Sequence, residues 1–147
     1  MTSGTEKTSA TQQLARYAAE LRYEDVPPEV VAKAKDLIRD SIGCLLAGST
    51  LAAAQSVRDL ILPMAATGPS SVAGTRRRIA APLAAYINAQ VTNLFDFDDT
   101  LEGRALGHPG ATVIPAALAL AEETGAGGRD VIAAVVAGYE VYSRVAM

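Results

Sequence analysis

The chain contains no tryptophan, and aromatic residues fill only 5% of its 147 positions. All-β domains draw heavily on aromatic and β-branched side chains, so an all-β architecture is not expected. Cysteine occurs once, at Cys44, which excludes an internal disulfide and fits a reducing, cytoplasmic setting. There is no basic excess. Lys and Arg number 13 against 16 Asp and Glu, a net charge of −3, and a nucleic-acid binder needs the opposite balance. Long apolar runs are also missing. The uncharged stretch Ser41 to Val57 is broken by Gly, Ser, Thr and Gln, so no membrane-spanning helix is expected. The polar start, Met1 to Gln13, lacks the apolar segment of a signal peptide.

What is abundant points to helix. Half the residues are hydrophobic, a fifth are charged, and 29 are alanine. Such a chain can bury a core, and disorder is confined to its ends. Residues 1–7 read as a loose tail and 8–147 as one helical domain of about six helices. Ser9 with Gln12 forms a capping-box pattern that opens the first helix, which runs to about Leu21. Pro27 and Pro28 introduce the second. Its apolar face is expected at Val30, Ala34, Leu37, Ile38, Ile42 and Leu45, at spacings of three and four. Gly48 ends it, and Ser49 or Thr50 is placed to cap a third helix over Leu51 to Ala65.

A short extended piece is expected at Ser71 to Thr75. A fourth helix follows from Ala80 to about Phe95, with Pro82 in its first turn. The fifth carries Ile114, Leu118 and Ala121 and stops at Gly125. The sixth begins near Asp130, with a stripe of Ile132, Val135, Val136, Tyr139 and Tyr142. Val131, Val141 and Val145 fall on its other faces, which predicts burial nearly all round. The apolar ending Val145-Ala146-Met147 predicts further protein packed against this helix, and self-association of the isolated chain.

The chemistry is concentrated between the fourth and fifth helices. Asp96-Phe97-Asp98-Asp99-Thr100 is the densest charge cluster, and Glu102, Arg104 and the sole histidine, His108, follow closely. Crowded carboxylates oppose each other's ionisation, and beside a histidine they are material for acid–base catalysis. The same residues also suit a solvated acidic loop that ends a helix. A third reading is the DxDxT nucleophile motif of haloacid-dehalogenase-like phosphatases. That motif follows a strand, whereas Ala84 to Val91 is helical in character, and no lysine follows Thr100.

The block Asp96 to Thr100, then Gly107-His108-Pro109-Gly110, then Val113-Ile114-Pro115-Ala116-Ala117-Leu118-Ala119-Leu120-Ala121-Glu122, resembles the MmgE/PrpD family. Asp40-Ser41-Ile42-Gly43-Cys44, Leu46 to Ser49, and Gly138 to Val141 with Arg144 extend the resemblance from about Thr11 to the end. It implies the first part of a large helical domain, homodimers or a second chain that completes the fold, and no metal or organic cofactor. The family includes 2-methylcitrate dehydratase and cis-aconitate decarboxylase. The implied reaction is therefore dehydration, decarboxylation or epimerisation next to a carboxylate of a small di- or tricarboxylic acid.

The resemblance implies site roles as well. His108 is the proton carrier, Asp96 orients substrate or an acid–base partner, and Thr100 hydrogen-bonds a substrate carboxylate or hydroxyl. Arg104 faces the anionic substrate or stays solvated on its glycine-flanked loop. Asp96 and Thr100 lie four residues apart, one helical turn if the helix persists. Each has a plainer alternative: a cap or salt-bridge partner for Asp96, a helix-ending hydroxyl for Thr100, a loop histidine beside Pro109 for His108. Asp98 and Asp99 read as residues that shape the loop or fix helix ends, and Cys44 as core packing. Leu101 stands where many relatives carry His, Tyr or Trp. A further histidine, a lysine and a tyrosine of the family site belong to later sequence. A non-catalytic binding or scaffold protein is the other reading of the same resemblance.

Overall fold

The computed structural model describes residues 8–103 and 106–146. The expected tail at 1–7 lies outside the described residues. Six helices carry the fold: α1 Ala10–Glu20, α2 Pro28–Gly48, α3 Ala52–Ile61, α4 Ala81–Thr92, α5 Pro109–Thr124 and α6 Gly128–Ala146. Two short strands, β1 Thr67–Ser71 and β2 Arg78–Ile79, form an antiparallel hairpin between α3 and α4. The expected all-α class therefore holds, with this small sheet as its one addition.

Local signals act largely as the sequence predicts. Ser9 and Gln12 exchange both bonds of a capping box at the start of α1. Pro28, Pro82 and Pro109 sit in first turns, where a missing N–H costs nothing. Gly125 ends α5 at φ +70°, a left-handed cap that favours glycine. Ser49 and Thr50 correct an expectation. Their hydroxyls donate back to Leu46 and Ala47 carbonyls, both at 2.7 Å, so they finish α2 rather than open α3. The start of α4 is capped from a distance, where the Glu123 carboxylate accepts the Ala81 N–H at 2.7 Å.

The extended segment also falls elsewhere than expected. The strands flank residues 72–77, and the chain reverses within that stretch, where Gly74 adopts φ +75°. Polar side chains fasten this hairpin to the helices. Asn88 of α4 accepts from Ala73 N–H at 3.0 Å and donates to Ser71 O at 2.9 Å. Buried Arg58 of α3 donates to the Ser49 and Ala73 carbonyls, tying the end of α2 to the hairpin turn.

Helix α4 is the centre of the main core. Its Ala84, Ile87 and Val91 are fully buried against Ala54 and Ile61 of α3, Val72 and Ile79 of the hairpin, and Ala119 of α5. Gly48 lies so close to α4 that a Cβ there would overlap the Val91 carbonyl. A second cluster joins Val26, Val31, Ala34 and Ile132.

The predicted face of α2 holds in part. Ala34 is buried, Ile38 and Leu45 pack against the two core clusters and Leu37 is half-buried, whereas Val30 and Ile42 (36% exposed) face outward. Val31, Ser41, Cys44 and Gly48 are buried as well. In α6 Ile132, Val135 and Ala137 are buried, Val131, Val136, Tyr139, Val141 and Tyr142 are half-buried, and Val145 is exposed. The expected cover on the other faces is thus partial at Val131 and Val141 and fails at Val145. Among the described residues no single helix is long and apolar enough to cross a membrane.

Glu122 of α5 straps the hairpin. It accepts from Ser71 N–H and Ser71 Oγ, each at 2.6 Å, and from Arg78 at 2.9 Å. Burial raises its pKa, but those donors outweigh burial and hold it below 4.5. A depressed carboxylate stabilises the fold above its unfolded pKa, and that contribution disappears as pH falls through the folded one. Glu122→Gln is therefore expected to lower the melting temperature near neutral pH. Its deficit against wild type should narrow as pH drops below 4.5. Thermal melts of both proteins across that range check this.

Candidate active site

Helix α4 stops at Thr92, and a single 3₁₀ turn, Asn93–Phe95, carries the chain to Asp96. Asp96 takes the left-handed conformation at φ +50°. Aspartate tolerates that region better than most residues, and such turns recur at functional sites. The helix therefore does not persist to Thr100, and Asp96 and Thr100 do not share a helical face. The reversal also sorts the carboxylates. The Asp96 side chain is 84% exposed, and that of Asp98 is 0% exposed.

His108 lies between these two. Its Nε2 is 3.6 Å from Asp96 Oδ1 and its Nδ1 is 3.4 Å from Asp98 Oδ2. The other Asp98 oxygen accepts from Asn93 Nδ2 at 2.8 Å. Asp98 Oδ2 and His108 Nδ1 are both buried, and among the described residues neither makes a hydrogen bond, the 3.4 Å contact between them included. Leaving such atoms unpaired costs about 1–3 kcal/mol each, so closing that contact into a hydrogen bond is physically favoured. The imidazole thus has an inner nitrogen against a buried carboxyl group and an outer nitrogen toward an exposed one.

Asp99 builds the frame around it. Its Oδ1 accepts the Gly110 N–H at 2.8 Å, at the start of α5, and its Oδ2 accepts the Tyr139 hydroxyl at 2.9 Å. A carboxylate at a helix N-terminus also meets the positive end of the helix dipole. A Cβ on Gly110 would strike Asp99, so glycine is needed for this approach. Burial, and then the Asp99 carboxylate, push the Tyr139 phenol far above its usual pKa, which keeps it a donor. Tyr139→Phe removes that donor. It is expected to cost about 1–2 kcal/mol, the range of a hydrogen bond to a charged group at a half-buried position. For a domain of this size that is a fall of roughly 2–8 °C in Tm, read by thermal denaturation.

Leu101 and Gly107 exchange two backbone hydrogen bonds, at 2.8 and 3.2 Å, and close the loop between them. Thr100 and His108 are the residues just outside that bridge, so the two chain segments converge there. Thr100 is exposed, and its hydroxyl makes no hydrogen bond among the described residues. Arg104 lies outside the described residues.

Of the expected site residues, then, Asp96 and His108 come together and Thr100 flanks them. Asp98, with Asn93 behind it, is the contributor that the sequence reading assigned to shaping the loop or fixing a helix end, and Asp99 does hold a helix end, through the Gly110 N–H of α5. The run of three carboxylates was the available signal. Which of them turns inward is decided by the left-handed residue, which spacing does not disclose.

An open groove of about 480 Å³ runs beside this region, lined by Asp40, Gly43, Cys44, Ala47, Phe95 and Phe97. Among the described residues that line it there is neither His108 nor a cation. Buried Cys44 behaves as packing. Burial, followed by Asp40, Asp98 and Asp99, raises its thiol pKa and suppresses the reactive thiolate. Arg129 pairs with Glu24 at 3.5 Å and lies over the Tyr23 ring, and Arg144 pairs with Glu140. The phosphatase reading lacks its scaffold, because a helix and not a strand leads into Asp96.

A model of the MmgE/PrpD N-terminal domain matches residues 12–147. The chain belongs to the MmgE/PrpD family. Among curated members of the family, it is 30% identical over 152 residues to "Cis-aconitate decarboxylase-like protein oryM" of Aspergillus oryzae, covering 99% of this chain and 31% of that protein. It is 26% identical over 144 residues to "Cis-aconitate decarboxylase" of Aspergillus terreus, covering 95% of this chain and 29% of that protein. The chain thus spans about three-tenths of the length of these relatives. The helical architecture is that expected of the family's N-terminal domain.

Proposed function

We propose that this chain supplies part of the active site of a cofactor-independent lyase or isomerase acting on small di- or tricarboxylic acids. The observation that carries the reading is His108, held between buried Asp98 and exposed Asp96 in a chain of this family. Reactions next to a carboxylate, whether decarboxylation, loss of water or inversion, need a proton moved at carbon and an anionic intermediate stabilised. His108 Nε2 is the proton carrier, since this nitrogen lies on the side of the exposed Asp96. In a decarboxylation, the bond to the departing carboxylate breaks and carbon dioxide leaves. The electron pair stays on carbon, and the proton from Nε2 forms the new C–H bond. Asp96 balances the charge of the protonated ring, and Thr100 hydrogen-bonds the substrate from the edge of the bridge.

In this reading the cationic groups that hold the substrate carboxylates come largely from outside this chain. Arg129 and Arg144 are engaged with glutamates, which supports that division. The working enzyme is a homo-oligomer, or this chain with a second one, in the cytoplasm. The names of the relatives favour decarboxylation over dehydration or epimerisation.

The test supplies the remaining length of the relatives together with this chain. The assembled protein is offered a panel of di- and tricarboxylic acids with a metal chelator present. Consumption of one acid with release of carbon dioxide, loss of water or inversion of a centre is the expected result. No turnover of any acid, together with a saturable rise in Tm on titration of the chain with citrate-like acids, would favour a binding role instead.

A further inference from the structure

We propose that Asp98 is the positioning residue of His108, holding the neutral imidazole as the tautomer with hydrogen on Nδ1 and leaving Nε2 as the nitrogen that exchanges a proton with substrate. The inference rests on the reading of His108 as proton carrier and adds which nitrogen works and what fixes it. The Asp98 side chain is fully buried, and its orientation is set by Asn93, which donates to Oδ1 at 2.8 Å. Oδ2 is left facing His108 Nδ1 at 3.4 Å, a separation too short for a bridging water. Among the described residues neither atom makes a hydrogen bond, so each is the partner left within reach of the other. An ionised carboxylate only accepts, so Nδ1 must carry the hydrogen for the pair to be satisfied. Pro109 follows immediately at the first turn of α5, which limits movement of the histidine backbone. Asp96, the other charged group beside the ring among the described residues, is 84% exposed and sits on the Nε2 side.

His108 is the sole histidine, so its ring nitrogens are read without ambiguity by two-dimensional ¹⁵N NMR of the labelled chain. At a pH where the ring is neutral, Nδ1 is expected at a protonated, pyrrole-like shift and Nε2 at an unprotonated, pyridine-like one. In Asp98→Asn, Asn93 still donates to the side-chain oxygen, so the new amide NH₂ faces Nδ1. The expected outcome is a switch to hydrogen on Nε2, the fault that disables other histidine–aspartate pairs on the same substitution. A wild-type ring with hydrogen on Nε2 overturns the proposal, and so does a folded Asp98→Asn variant with an unchanged tautomer. If that variant does not fold, the wild-type spectrum alone decides. The measurement uses no substrate, so it stands or falls separately from the lyase reading, which the turnover panel tests.

Discussion

His108→Ala is expected to lower kcat of the assembled enzyme by about 10²- to 10⁴-fold, the usual contribution of a positioned acid–base group. The KM for the carboxylic acid should change little, because the ring acts on the proton in the transition state rather than on the substrate's charge. The fold should survive. His108 caps α5 without a side-chain hydrogen bond, and the frame at that helix start is built by Asp99 and Tyr139. Steady-state kinetics beside a thermal melt separate the two effects. Equal losses of activity and Tm would assign His108 to structure, and unchanged turnover would remove it from the chemistry.

The largest stability effect is expected at Ile87. It is fully buried at the middle of α4, where the hairpin and the helices of the main core meet. Ile87→Ala should cost about 2–5 kcal/mol, combining lost burial with the cavity left behind. The matched control is Ile42→Ala on α2, one of the residues the hydrophobic pattern assigned to the core. At 36% exposure on the open side it should cost well under half as much. Denaturant titrations of both variants give the comparison. Comparable costs would mean that the outward face of α2 is covered in solution.

The pair also shows how far the sequence could be read. All six helices were legible because their apolar spacing, prolines and capping residues act over a few positions, and those forces are local. The face of α2 was legible in part: Ala34, Ile38 and Leu45 lie against the cores, but Val30 and Ile42 are outward, because period alone does not reveal how near a neighbour comes. Gly48 lets α2 press against the Val91 backbone, an approach that a side chain there would block. Ser49 and Thr50 could equally end one helix or begin the next, and the geometry chose the first.

The site divides in the same way. His108 and Asp96 stood out by residue type, and the structure brings them to 3.6 Å. The expected helical register from Asp96 to Thr100 failed at one left-handed residue. Two residues on, Asp98 lies buried beside the histidine, a placement that no side-chain pattern encodes. Tyr139 reaches Asp99 across 40 positions of sequence, beyond the range of any local signal.

The most direct measurement follows solvent deuterium through the reaction. The assembled enzyme and its His108→Ala variant are run in D₂O on the acid that the panel identifies, and the carbon next to the carboxylate is examined by NMR. Where the panel identifies decarboxylation or inversion, the account predicts deuterium at that carbon with the wild-type protein and loss of that incorporation, with turnover, in the variant; where it identifies loss of water, the label is read in substrate re-formed by the reverse reaction. Decarboxylated, inverted or re-formed acid without solvent hydrogen at that carbon, or labelled equally by the variant, would contradict it.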